Sequence, residues 1–170
     1  MNLRFGLLTV SDRAASGEKA DASGPLLFEA VKRQGWQVVK HVVLPDDLIA
    51  LRDELVAWAD MGEIDVILTS GGTGFSPRDI TPEATLLVIE RFAPGLAEAM
   101  RAASLKVTPH AMLSRAVAGI RGRVLIVNLP GSPAAAVENF EVLVDVLPHA
   151  IQLLHQDPGA EEGHRKEPQV

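Results

Sequence analysis

The residues best suited to chemistry in this 170-residue chain lie in Thr69-Ser70-Gly71-Gly72-Thr73-Gly74, followed by Arg78-Asp79-Ile80-Thr81-Pro82-Glu83-Ala84. Three glycines let the backbone approach a ligand closely and turn its N–H groups toward an anion. Ser70 and Thr73 add hydroxyl donors. Asp79 stands a few residues on, just before a helix start. A carboxylate beside an anion-binding loop repels a phosphate. It therefore calls for a divalent cation between the two, or else serves as a local cap. The loop is not a Walker A motif, because no Gly-Lys-Ser/Thr follows, and it lacks the Rossmann glycine spacing.

Three further segments have the same character. Asn128-Leu129-Pro130-Gly131-Ser132-Pro133 joins a strand to a helix start, where free N–H groups bind an anion. Plain capping also accounts for Ser132 and Pro133. In Leu44-Pro45-Asp46-Asp47 one aspartate caps a helix and the other is free. If both strand ends meet, Asp46 and Asp79 face one crevice and share a metal ion. Thr9-Val10-Ser11-Asp12-Arg13 ends the first strand, with Arg13 as a phosphate ligand or a solvated charge. Arg78 carries the same two readings, and Arg101 and Arg115 are candidates for subunit contacts. The five histidines show no metal-ligand spacing, and Ser114 lies in no nucleophile elbow.

The elements that must position these residues alternate. Arg4 to Ser11 reads as a strand, and Asp12 to Ser23 as a loop where α/β ligand sites sit. A helix from Pro25 to Gln34 stops at Gly35, and Trp36 to Leu44 is again a strand. Leu48, Leu51, Leu55 and Trp58 recur at helical spacing up to Gly62. Ile64 to Thr69 is a buried strand that leads into the glycine loop. Thr81 caps a helix that runs to about Phe92, with Pro82 at its first position. A second helix reaches Lys106. Arg115 to Ile120 and Arg123 to Leu129 form a hairpin around Arg121-Gly122, which makes the sheet mixed. A helix opens at Ser132-Pro133, and a last short one ends near His155. Trp36 and Trp58 belong to the core. Such alternation predicts one α/β domain over 1–155 and a polar, disordered tail over 156–170.

Composition narrows the function classes. Hydrophobic residues are 47% of the chain, enough for a sizeable core. No apolar run is long enough to cross a bilayer. Zero cysteines exclude disulfides, thiolate zinc sites and cysteine nucleophiles, and fit a cytoplasmic setting. The net charge is −6 and there is no basic stripe for nucleic acid. A phosphorylated ligand is then held by backbone N–H groups, a few placed cationic side chains and a divalent cation.

Five segments in order resemble the MogA/MoaB family of molybdopterin-binding proteins. They are Leu7 to Arg13, Leu44 to Asp47, Thr69 to Gly74, Arg78 to Ala84 and Asn128 to Pro133. The resemblance covers about residues 3 to 155. It implies a three-layer α/β/α sandwich with a mostly parallel sheet, and a homotrimer. It implies that molybdopterin and ATP, with Mg²⁺, give adenylylated molybdopterin and pyrophosphate. Carried over, it assigns molybdopterin to Ser70, Gly71, Gly72, Thr73 and Gly74, and to Pro130, Gly131 and Ser132. It assigns the nucleotide to Ser11 and Asp12, and catalysis and the metal to Asp46 and Asp79. It also implies hand-over of the product to a molybdenum-insertion protein. The competing readings are a binding or scaffold module without catalysis and a competence-damage-type nucleotide hydrolase.

Overall fold

The computed structural model describes residues 1–158. The expected tail therefore lies outside the described residues from position 159 onward. The strands are β1 (Arg4–Val10), β2 (Gln37–Leu44), β3 (Val66–Ser70), β4 (Arg91–Phe92), β5 (Ala118–Arg121) and β6 (Val124–Leu129), in the order β2-β1-β3-β6-β5-β4. β2, β1, β3 and β6 are parallel. β5 pairs antiparallel to β6 through a turn at Gly122 and Arg123, one residue on from the expected Arg121-Gly122, and β4 pairs antiparallel to β5.

The helices are α1 (Asp12–Ala15), α2 (Ser23–Arg33), α3 (Leu48–Asp60), α4 (Thr81–Leu86), α5 (Pro94–Leu105), α6 (Pro133–Leu143) and α7 (Leu147–Leu154). Strand alternation sends side chains to two faces. Leu3, Phe5 and Leu7 pack with Val66, Leu68, Leu125 and Val127 under α2, α5, α6 and α7. Leu8, Val10, Ile67 and Ile126 pack on the other face with Leu51, Leu55 and Trp58 of α3 and Ala84 of α4. The sheet is thus the middle layer of an α/β/α sandwich. Trp58 is a core residue, and Trp36, half-buried, packs against the core. Trp58 is fully enclosed, and Trp36 stacks on Phe5 with centroids 5.4 Å apart. Burying each such large side chain contributes about 1.5–3 kcal/mol. β3 and β6 are buried along their whole length, as central parallel strands are.

The structure corrects four expectations about local elements. Asp12 to Ser23 is not all loop, because Ser11 accepts from the Ala14 N–H and caps the single turn α1. The second helix begins at Ser23, two residues before Pro25. Thr81 does not cap α4. It is that helix's first residue, and Ile80 holds the cap position without a side-chain bond. The helix also stops at Leu86 instead of Phe92. Residues 91–92 turn into β4, where Glu90 N–H donates to Ile120 O and Ala93 N–H to Ala118 O. Pairing the open edge of β5 outweighs the local helical pattern.

Candidate functional site

The chain order from β1 to β2 runs toward one edge of the sheet, while β3 and β6 lie on the other side of β1. The loops after β1 and β3 therefore diverge at a switch point, where open α/β sheets bind ligands. Gly71 sits there with φ 104°, and its N–H donates to Leu129 O at the end of β6. A Cβ on Gly71 would strike the Val10 carbonyl, so only glycine lets these strand ends close up. Gly131 in the loop after β6 packs against Gly71, where an added Cβ would meet its Cα at 3.1 Å.

A crevice of about 270 Å³ opens at this point, lined by Ser11, Asp46, Ser70, Gly71, Gly72, Asp79 and Gly131 among others. All four motif groups thus bring residues to one place. The remaining predicted residues lie to either side. Thr73, Gly74, Pro130 and Ser132 line a second cavity of about 310 Å³, together with Arg101, His110 and Ser114. Asp12 lines a shallow groove with Arg13 and Pro45. The glycine loop is the wall between the crevice and the second cavity.

The aspartates divide their duties. Asp47 is the α3 cap and accepts from Ala50 N–H at 2.8 Å, which leaves Asp46 for the crevice. Asp46 and Asp12 each accept the other's backbone N–H at 3.0 Å, so the loops after β1 and β2 are tied together. Burial pushes the Asp46 carboxyl up. The nearby Asp12 and Asp79 charges add to this, against the Asp12 N–H and Arg78. Asp12 is held down by hydrogen bonds from Arg78 Nε and Nη2 (3.0 and 2.9 Å) and by the Asp46 N–H. Asp79 accepts from Ser76 N–H at 3.0 Å, and its Oδ2 would lie 2.9 Å from a Cβ on Gly74.

A polar brace lies beneath the loop. Buried Asn128 donates to Thr69 Oγ1 (3.0 Å) and Thr85 Oγ1 (2.8 Å) and accepts from Val117 N–H (3.3 Å). It ties the ends of β3 and β6 to α4. Ser70 Oγ donates to Pro130 O at 3.0 Å, which joins the turns after β3 and β6. Ser132 makes no side-chain cap bond on α6, so the capping explanation of its hydroxyl fails.

Arg101 and Arg115, the candidates for subunit contacts, both bond within the chain. Arg115 donates to Gly74 O (2.6 Å) and Asp79 O (2.7 Å) and pairs with Glu83, bracing the loop from behind. Arg101 donates to Ala116 O at 2.8 Å. Sequence reasoning named the segment from Thr9 and the loop from Asp12 to Ser23 but gave no role to Thr9, Lys19, Asp21 or Ser23, which also line the crevice. Burial works to raise the Asp21 carboxyl, but the Gly24 N–H, the Thr9 hydroxyl and His41 together hold it down. The short Asp-Ala-Ser-Gly segment that opens α2 is the available signal, since its aspartate accepts from the Ser23 and Gly24 N–H groups.

Fold and site together define an α/β protein with two glycine-bearing turns and several carboxylates at a topological switch point. Residues 6–149 match the family model described as "Probable molybdopterin binding domain", and the chain belongs to that family. It is 42% identical over 158 residues to the molybdenum cofactor synthesis protein cinnamon of Drosophila melanogaster, covering 92% of this chain but 26% of that protein. The chain thus spans about a quarter of that relative's length. It is 37% identical to a molybdopterin adenylyltransferase of Helicobacter pylori (strain J99 / ATCC 700824), covering 89% of this chain and 88% of that one. The crystal structure of the molybdopterin biosynthesis enzyme MoaB from Thermus thermophilus superimposes with a TM-score of 0.86 at 47% identity. That match covers 92% of this chain and 98% of the other.

Proposed function

We propose that this protein transfers the adenylyl group of ATP to the terminal phosphate of molybdopterin and releases pyrophosphate. The observation that carries the reading is the glycine loop standing between two cavities at the switch point. Relatives named molybdopterin adenylyltransferase support it over most of the chain. On this reading the nucleotide lies on the Ser11 and Asp12 side and the pterin on the Thr73, Gly74 and Ser132 side. Ser70, Gly71 and Gly72, with Pro130 and Gly131, then hold the phosphate that meets ATP.

The pterin phosphate oxygen attacks the α-phosphorus of ATP in line. A new oxygen–phosphorus bond forms as the bond to the β-phosphate breaks. Both reactants are anionic, so positioning and charge neutralisation carry the catalysis. The backbone N–H groups of the two turns orient the attacking phosphate without a protein nucleophile. Asp46 and Asp79 would hold a Mg²⁺ ion, which neutralises charge on the phosphates. Their hard carboxylate oxygens suit that ion. Among the described residues no cluster of three or more His, Cys, Asp or Glu could hold a metal. Mg²⁺ completes its shell with water and substrate phosphate, so one or two carboxylates suffice.

Homotrimer assembly, a cytoplasmic setting and hand-over to a molybdenum-insertion protein belong to the same reading. The exposed side chains of Phe92 (69%), Val107 (74%) and Met112 (66%) offer apolar surface for a second copy. No helix of the described residues is long and apolar enough to cross a membrane.

The test is turnover of purified protein with molybdopterin and Mg-ATP, following adenylylated pterin and pyrophosphate. Asp79→Asn is expected to lower turnover by roughly 10²-fold or more with pterin affinity nearly kept, as for an interaction made in the transition state. Pterin affinity that falls in parallel with turnover would sink the metal role. Tight pterin binding without product in the unaltered protein would favour a binding module without catalysis.

A further inference from the structure

One buried polar atom takes no part in the scheme above. Thr81 is fully enclosed, and its Oγ1 is the buried side-chain N or O without a hydrogen-bond partner among the described residues. Native proteins rarely leave such a group unpaired, because burying it without a partner is unfavourable. Helix capping is not its use, since Thr81 lies inside α4 by one residue. Its backbone is engaged, the N–H donating to Gly72 O at 3.0 Å.

The hydroxyl's surroundings say what it is for. Thr81 Oγ1 packs against Gly72 so closely that an added Cβ there would collide with it. The same Cβ would lie 3.1 Å from Asp46 Oδ1. A hydroxyl and a carboxylate oxygen thus converge on one side of Gly72, which with Asp46 lines the crevice. The other Asp46 oxygen, Oδ2, already accepts from the Asp12 N–H at 3.0 Å.

We propose that Thr81 is a positioning residue for the divalent cation, its hydroxyl donating to the Asp46 carboxylate when that carboxylate turns to the ion. The proposal rests on the adenylyl-transfer reading and its use of a cation. Thr81 touches neither substrate. It fixes the direction of Asp46 from behind the loop, and Gly72 is the residue that leaves room for the contact.

The experiment uses the full chain and Mn²⁺ as probe, titrated by electron paramagnetic resonance with and without a non-hydrolysable ATP analogue. Thermal melting is measured in metal-free buffer. Thr81→Val keeps the volume and removes the hydroxyl. Its melting temperature should equal or exceed that of the unaltered protein, while its Mn²⁺ affinity falls about tenfold, the worth of one hydrogen bond to a charged group. Thr81→Ser should bind within about twofold of the unaltered protein. Should Thr81→Val not fold, Thr81→Ala is read against Thr81→Ser in the same titration. Unchanged Mn²⁺ affinity without the hydroxyl overturns the assignment. So does a serine variant as weak as valine, or a valine variant that loses stability and affinity together. Failure of the unaltered protein to bind Mn²⁺ even with the analogue overturns the cation reading itself.

Discussion

Replacing Gly71 by alanine tests whether close approach of strand ends builds the site. Gly71 has φ 104°, a conformation that costs an alanine about 1–3 kcal/mol. The new Cβ would also lie far inside 3.0 Å of the Val10 carbonyl oxygen, a backbone atom. Val10 ends β1, which is held between β2 and β3, and the next residue donates its N–H to Leu44 O. Relief therefore means moving a central strand, and overpacking of that kind costs about 1–3 kcal/mol more. The sum is about 2–6 kcal/mol out of the roughly 5–15 kcal/mol typical of a domain. Gly122 is the control. It too has positive φ, 55°, but a Cβ there meets nothing within 4 Å. Gly122→Ala should cost only about 1–2 kcal/mol. With a urea slope of about 2 kcal/mol/M, the midpoint should drop by roughly 2 M for Gly71→Ala and by less than about 1 M for Gly122→Ala. Equal shifts in the two variants would refute the argument, because left-handed backbone would then explain both and the strand contact neither.

Two further perturbations separate stability from function. Burial, with the Asp12 and Asp79 charges, holds the Asp46 carboxyl above its ordinary range, so the native state grips that proton more tightly than the unfolded chain. The group's contribution is favourable below its unfolded pKa of about 3.9 and is lost as pH rises through the higher folded value. Asp46→Asn should therefore be more stable than the unaltered protein at pH 7, by under about 1 kcal/mol after solvent screening, and the gain should vanish toward pH 3. Melting curves across pH check this, and a gain that grows on acidification would reverse the sign. Asn128→Ala removes three hydrogen bonds from a fully buried site. It should cost about 2–4 kcal/mol, seen as a fall of roughly 4–16 °C in melting temperature. A fall of less than about 2 °C would mean the network is not what ties β3 and β6 to α4.

Residues whose role is local are legible in the sequence. Gly35, Gly62 and Gly122 all have positive φ at the expected stops and turn. Leu51, Leu55 and Trp58 point inward, as their spacing requires. The free aspartate of Leu44-Pro45-Asp46-Asp47 is undecided at that level, because either side chain can reach the α3 N-terminus. Only the exchange of N–H bonds with Asp12 distinguishes Asp46, and that contact spans 34 positions. Arg115 escapes for the same reason, since its partners Gly74 and Asp79 are 41 and 36 positions away. α1 is a single turn, too short for any periodicity to show. Asp21 has a local signal only for its bonds at the start of α2, and its place beside the crevice depends on β1 and β2 bringing Thr9 and His41 next to it.

The acidic character of the chain and the anionic ligands of the proposed reaction are reconciled by where the charges sit. A net charge of −6 opposes any general attraction for a nucleotide. Donors fixed on the backbone of two turns act only at close range, so they are indifferent to that field and need no rearrangement on binding. The carboxylates of Asp12 and Asp46 exchange N–H bonds at one wall of the crevice, and Asp46 feels Asp79 as well. Arg78 offsets the charge on Asp12 most directly, through its paired hydrogen bonds. The raised proton affinity of Asp46 reflects its burial and the charge left uncompensated. On the adenylyl-transfer reading, that remaining negative charge disfavours free nucleotide and favours a cation. Each ligand then improves the site for the other by the same factor, as linkage requires. On that reading a nucleotide without its metal would find carboxylates facing its phosphates, so the crevice would select the metal complex of ATP over the bare anion.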